Sequence, residues 1–379
     1  MIFMNSIFVI GAGFSKPAGL PLGDDLFPLI LEKAKITGAY ENILQKDIDH
    51  YLNYYYVING EKTEESEINF EEFMSYLDIE HFLQLKGSDT FSSDGNRSQL
   101  IIKNYIAQIL HEKISNMGDD DYVLYESFAD KLEPYDTIIS FNYDTILENS
   151  FERLGIPYRL FLDRFDSVGP YTASPAKENT EVVLLKMHGS IDWFDVGKYE
   201  SSYKIHRQGS HFILPEHPIF SNRNLFQPEK IINGPYPRNS TLNNIYRVRN
   251  LEKFIEMKTI LASPLILSPS ISKIVYLNPL KEFWYSFNTI GRIHNMGVIG
   301  FSLQDHDEYV KQALYGLINA FQNYDTSYIS EKKELKFVDY RKTRAEIQDI
   351  TNRYSFVDWK KTKLYTKGFT KISVNKLFE

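Results

Sequence analysis

The sequence predicts an α/β protein whose core is a parallel sheet with crossover helices, and three observations point there. Short runs that are apolar throughout, with no polar alternation, recur along the chain. Amphipathic helical stretches separate several of them, and the first run breaks at closely spaced glycines before a helix. Strands buried on both faces by helices read in this way, whereas strands with one wet face alternate.

Ser6 to Ile10 is the first apolar run, and it ends at Gly11-Ala12-Gly13, as a buried strand entering a tight turn does. Leu22 to Lys35 then reads as a helix. Asp24 and Asp25 sit near its start, where the helix dipole favours carboxylates, and Leu26, Leu29, Ile30 and Ala34 keep one face apolar. Strand, glycine turn and helix in that order open a dinucleotide-binding unit. Further buried-strand runs are Thr137 to Phe141, Val182 to Met187, Leu265 to Leu267 and Gly297 to Phe301, with Leu335 to Tyr340 following a helical pattern. That pattern, Asp307 to Phe321, carries Val310, Ala313, Leu314, Leu317 and Phe321 on one stripe.

The strands are far apart in sequence, so the core is interrupted. We expect it in residues 1–39, 125–191 and 260–345. Residues 40–124 form a helical insertion, with Phe70, Phe73, Met74 and Leu77 at helical spacing and Ile101, Ile102, Tyr105, Ile106 and Ile109 in a second stretch. Residues 192–259, richer in Pro, Gly, Asn and His, are expected to be an irregular insertion or lid, and residues 87–97 an exposed loop. Residues 346–379 are read as a basic C-terminal extension. After Asp358 there are six Lys against one Glu, and the apolar-polar alternation from Lys363 to Val374 suggests β structure at a surface.

Composition excludes several functions. The formal net charge is -8, which argues against direct attraction to a nucleic-acid backbone. There is no cysteine, which removes disulfides, thiol nucleophiles and thiolate metal sites together. A metal is not expected, and His206, His211 and His217 in the Pro-rich insertion do not make a convincing zinc set. No run approaches the roughly 18 apolar residues of a membrane span. The apolar start lacks a basic run and leads straight into the glycine turn, so we expect a soluble cytoplasmic protein without a cleaved leader.

Chemistry is expected where strands end. Gly11, Ala12, Gly13, Phe14 and Ser15 follow the first strand and bring backbone N–H groups and a helix start toward a phosphate, although Lys16 stands where a full GxGxxG motif has its last glycine. Phe141-Asn142-Tyr143-Asp144 puts an amide and a carboxylate at the end of a second strand, the edge at which open α/β sheets bind ligands; Asp144 also suits a helix cap. Lys186-Met187-His188-Gly189-Ser190 ends a third strand with an imidazole, a base suited to neutral pH. Gly300-Phe301-Ser302 ends a fourth, where Ser302 can reach a ribose or phosphate, and Asp305 with Glu308 forms a capping box for the next helix.

In this order, these motifs and Gly19-Leu20-Pro21 resemble the sirtuins. Phe141-Asn142-Tyr143-Asp144, the run His188-Gly189-Ser190-Ile191-Asp192-Trp193, and Asn69-Phe70-Glu71 heading a helix look most like the bacterial sirtuin-like branch of antiphage defence, in particular the partner of a HerA-type DNA-translocating ATPase. The resemblance implies a sirtuin-like Rossmann core and an NAD hydrolase that cleaves the nicotinamide–ribose bond, with no metal. It also implies Asn142 and His188 as the catalytic pair, with Gly11, Ala12, Gly13, Phe14, Ser15, Asp144, Gly300 and Ser302 binding NAD, and a homo-oligomer assembled with the ATPase. Two departures speak against deacylation. The absence of cysteine removes the zinc ribbon, and Leu22-Gly23-Asp24-Asp25 follows Pro21 where deacylases carry Asp-Phe-Arg. A silent nucleotide-binding scaffold and a deacylase or ADP-ribosyltransferase remain the competing readings.

Overall fold

A computed structural model describes residues 5–38, 41–85, 95–197, 199, 216–259, 262–270, 273, 277–285, 293–304, 307–323 and 333–379. Its centre is β1, Asn5–Ile10, in which Ile7, Phe8, Val9 and Ile10 are buried, as a strand covered on both faces requires. Parallel to it lie β2 (Thr137–Ser140), β6 (Val182–Lys186) and the short β3 (Tyr158–Arg159) on one side. On the other side lie β10 (Ile293–Ile299), β11 (Leu335–Val338) and β12 (Thr362–Tyr365). The sheet therefore has seven strands in the order β12-β11-β10-β1-β2-β6-β3, and the predicted Rossmann-like parallel α/β core is what forms. Because the chain builds outward from β1 in both directions, a crevice opens beside the carboxyl end of β1, the switch point at which such sheets bind ligands.

The helices next to the core follow from the pattern of the sequence. After the short α1 (Ala12–Ser15) comes α2, Gly23–Thr37, which buries Leu26, Phe27, Ile30, Leu31 and Ala34. The helical insertion supplies α3 (Glu41–Asn59), α4 (Phe70–Leu83) and α5 (Arg97–Ser115). Asn69 starts α4 by accepting a hydrogen bond from the Glu72 N–H at 3.1 Å, and Asn96 caps α5 by accepting from Gln99 N–H at 2.9 Å. Next, α6 (Asp119–Ala129) runs past the expected end of the insertion and packs on α7 (Ile146–Leu154). Between β3 and β6 the chain makes an antiparallel pair, β4 (Phe165–Val168) with β5 (Ala173–Pro175), and the second insertion carries a three-stranded antiparallel sheet, with β9 (Ile245–Val248) between β7 (Trp193–Asp195) and β8 (Pro228–Lys230).

Two expectations differ from the structure. Leu265 to Leu267 is buried but is no strand of the main sheet; Ile266 makes an isolated antiparallel bridge to Gly189, beyond the end of β6. A short apolar run reports burial, and it says nothing of which backbone neighbours are free to pair. The C-terminal segment is not an appendage either. β12 pairs in parallel with β11, and the helix Lys371–Phe378 buries Val374 and Leu377, with Phe378 lying 5.1 Å from Phe8. The β structure expected from Lys363 to Val374 holds only for the edge strand Thr362–Tyr365; from Lys371 the chain is helical, because Val374 and Leu377 are buried at helical spacing. Residues 87–94, Asp305 with His306, and His206 with His211 lie outside the described residues. No described helix is long and apolar enough to cross a membrane.

Candidate active site

Sheet register decides which side chains meet. Lys186 pairs with Ser140, Ser140 with Ile10, Ile10 with Ile299, and Ile299 with Val338, so one row crosses five strands. Asn142 and His188 each stand two residues beyond that row on adjacent strands, while Gly11 and Gly300 stand one beyond it on the next pair. All four motifs consequently open on one cleft of about 800 Å³, within the range of roughly 300–1,000 Å³ that small-molecule and cofactor sites occupy. Gly11, Ala12, Gly13, Ser15, Asn142, Asp144, His188, Gly300 and Ser302 line it.

Phe14 is the exception. Its ring is buried between Tyr125, Phe128 and Phe369, with centroid separations of 5.3, 5.6 and 4.5 Å, so it packs the core and does not touch the cleft. An apolar ring beside a turn gains more from that core than from water. The glycine turn also differs in detail from the expected phosphate cradle. Gly11 N–H donates to Ile299 O at 3.0 Å, Gly13 N–H to Gly300 O at 2.9 Å, and Phe14 N–H to Gly11 O at 2.9 Å. The first two hold the turn to the end of β10, the third closes the turn on itself, and none of the three is offered to a ligand. The glycines are needed for the same contact. A Cβ on Gly13 would sit 2.7 Å from Gly300 Cα, and one on Gly300, at φ 57°, would sit 2.4 Å from the Gly13 carbonyl carbon.

Asn142 is held from behind. Its Nδ2 donates to Gly11 O at 3.0 Å and to Ser15 Oγ at 3.1 Å, which leaves Oδ1 as the atom the amide can present to a ligand. Ser15 Oγ in turn donates to Asp144 Oδ2 at 2.7 Å, and Asp144 Oδ1 accepts from Ile146 N–H at 3.1 Å. Thr145, not Asp144, is the N-cap of α7; Asp144 stands one residue earlier, where it holds the first helical N–H and anchors Ser15 at once.

His188 is almost fully buried, and its ring packs edge-on to Phe141 at 4.9 Å, which itself stacks on Phe301 at 4.3 Å. Its Nε2 lies 2.8 Å from the Tyr309 hydroxyl. Burial, with Lys273 second, pushes the imidazole well below its ordinary pKa, so the ring is neutral at neutral pH and can accept a proton. Gly189 follows at φ 81°, where a Cβ would fall 1.9 Å from Leu265 O. That close approach lets Leu267 N–H donate to His188 O at 2.9 Å, and it fixes the backbone of the histidine.

Buried charges brace this edge. Lys186 pairs with Glu148 at 2.8 Å and also donates to the Asp144 carbonyl, tying β6 to the Asn142 loop. Asp192, two residues after Ser190 and bonded to its hydroxyl at 2.5 Å, meets Arg247 of β9 at 2.6 Å. Burial opposes ionisation of Asp192, but Arg247 and Lys186 outweigh it and hold the carboxyl below its ordinary pKa.

Residues absent from the predicted site complete the cleft. Lys273 and Asp307 form a buried pair at 2.6 Å, and Arg341 is held by Asp339 at 2.9 Å. Lys367 and Thr370 come from the C-terminal segment; among the described residues Lys367 makes no salt bridge. Glu71, on the first turn of α4, contributes the wall that Asn69-Phe70-Glu71 foreshadows. No local signal marked the others, because each reaches the cleft through strand order and not through a motif. Of the insertion histidines, His217 accepts from Ile219 N–H and packs on Tyr199 at 4.6 Å, which is a structural role. Among the described residues no group of three or more His, Asp or Glu is arranged to hold a metal.

Residues 136–225 match the SIR2-like domain family. The match spans β2 with Asn142, β6 with His188 and the start of the second insertion, less than half of the chain. Among solved structures, that of Sir2Tm bound to a propionylated peptide is similar over 98% of this chain and 91% of that one, at 10% identity and a TM-score of 0.29. No curated protein matches the sequence. The chain is thus sirtuin-like in the segment that carries both candidate catalytic residues.

Proposed function

We propose that this protein is an NAD glycohydrolase, cleaving the nicotinamide–ribose bond to give nicotinamide and ADP-ribose, with NAD as substrate. The observation that carries the reading is the register that sets Asn142 and His188 at equal height on paired strands, facing one cleft with the glycine turn of β1. Cleavage at the anomeric carbon passes through an oxocarbenium-like state. An enzyme for it must orient the ribose, shelter the positive charge and deliver water. Oδ1 of Asn142, fixed by the two bonds of its Nδ2, accepts from a ribose hydroxyl or from the attacking water. Neutral His188 takes the proton of that water as its oxygen bonds to the anomeric carbon and the glycosidic electron pair leaves with nicotinamide. Asp144 acts through Ser15, and Lys367 is free to meet a phosphate.

Release of nicotinamide from NAD, followed by chromatography, tests the reading. His188→Ala and Asn142→Ala should each abolish it, with loss of the base costing roughly 100-fold to 10,000-fold. NAD consumption that requires a protein acceptor would replace hydrolysis with deacylation or ADP-ribosyl transfer.

The biological setting that fits is NAD depletion in antiphage defence, in a homo-oligomer assembled with a HerA-type ATPase. It is supported by the defence-like motifs and by the need to restrain an enzyme that destroys NAD. Turnover measured for the chain alone, then with the ATPase and DNA, tests whether assembly controls activity. Light scattering tests self-association, and a monodisperse monomer at working concentration would remove it.

A further inference from the structure

Tyr309 stands in the first turn of the helix Glu308–Asn323, and its hydroxyl is the hydrogen-bond partner of His188 Nε2 at 2.8 Å. Nothing in the sequence motifs singles it out. Its ring is held in place by Trp284, 5.1 Å away. Burial first, then Asp307 and Tyr143, push its pKa far up, so it is a neutral phenol that can donate or accept.

Among the described residues Nδ1 of His188 has no hydrogen-bond partner, and the histidine lines the cleft. A neutral imidazole carries one proton, and the partner of one nitrogen selects where that proton sits. If Tyr309 donated to Nε2, the proton would reside on Nδ1, and neither nitrogen could accept another. If Nε2–H donates to the phenol oxygen, the lone pair of Nδ1 is left for the cleft.

We infer that Tyr309 is a positioning residue for His188: its phenol oxygen accepts the Nε2 proton, holds the imidazole in the Nε2–H tautomer, and leaves Nδ1 as the base that faces the substrate. The inference rests on His188 serving as the base of the proposed reaction. It differs from a carboxylate-backed histidine. A phenol orients the ring without an ion pair that would stabilise imidazolium, while Lys273, itself paired with Asp307, lies near enough to disfavour that cation. Two further described rings that pack on it, Phe141 and Tyr143, carry no charge.

The test is ¹⁵N NMR of histidine-labelled protein, with the His188 signal assigned by its loss in His188→Gln, together with NAD kinetics. In the native protein His188 should be the Nε2–H tautomer. Tyr309→Phe keeps the ring against Trp284 and removes only the oxygen. It should move His188 toward the Nδ1–H tautomer and lower kcat on the order of 10-fold while KM for NAD stays within about twofold, because binding is untouched and only the fraction of competent base falls. An Nδ1–H tautomer in the native protein, or a tautomer population unchanged in Tyr309→Phe, overturns the inference. If the native protein turns over no NAD, the NMR arm still decides the tautomer, so failure of the hydrolase reading and failure of this one are separable.

Discussion

At the scale of single residues, the site is built from side chains whose freedom has been taken away. Asn142 spends its donors on Gly11 and Ser15, His188 is clamped by Leu267 N–H and Tyr309, and Gly13 and Gly300 touch backbone to backbone. Such preorganisation is what electrostatic catalysis needs, since groups already aimed cost nothing to reorient during reaction. Gly300→Ala forces a Cβ into the Gly13–Phe14 peptide at a left-handed φ, and should cost on the order of 3 kcal/mol, read by denaturant unfolding. The depressed pKa of His188 keeps the base unprotonated in mild acid, so the acid limb of kcat/KM for NAD should lie well below pH 6.5. A limb at or above that value would mean that some other group titrates.

Between elements, the helical insertion is joined to the segment beside Pro269 by a buried carboxyl. Asp78 of α4 accepts from Gln99 of α5 and from Ser270, with Lys103 and Lys273 nearby, and burial raises it from 3.8 to about 6. The folded protein therefore holds this proton more tightly than the unfolded chain does. Its contribution to stability is fully present below pH 3.8 and is lost as pH rises through about 6. Chemical denaturation at several pH values should show that difference, up to about 3 kcal/mol, relative to Asp78→Asn, which has no proton to lose in this window. Parallel pH profiles for the two proteins would refute it. Most elements themselves were legible in the sequence. Continuous apolar runs revealed β1, β2, β6, β10 and β11, because strands covered on both faces have no wet positions, and α4 was legible from its stripe. Leu265 to Leu267 misled for the same reason, since burial beside His188 writes the same apolar letters as burial in a sheet.

For the molecule as a whole, the C-terminal segment is the part whose meaning changed most between sequence and structure. It adds β12 to the sheet edge, packs Phe369 on Phe14 and Phe378 on Phe8, and brings Lys367 and Thr370 to the cleft. A chain ended at residue 358 would leave β11 as an open edge and uncover buried Val374 and Leu377 contacts, so it should aggregate or fail to express in soluble form. A soluble truncated protein with a native melting temperature would show the segment to be dispensable. What the sequence determined by itself is whatever depends on near neighbours: the apolar strands, the glycine turn, and the polar residues waiting at strand ends. The tertiary structure alone decided which of those ends share a cleft, that Phe14 faces the core, that the N–H groups of Gly11 and Gly13 are spent on the end of β10, and that Tyr309 answers His188 across 121 positions of sequence. Those outcomes depend on strand order and on competition for hydrogen bonds between segments far apart in the chain, and no local pattern of residues records that competition.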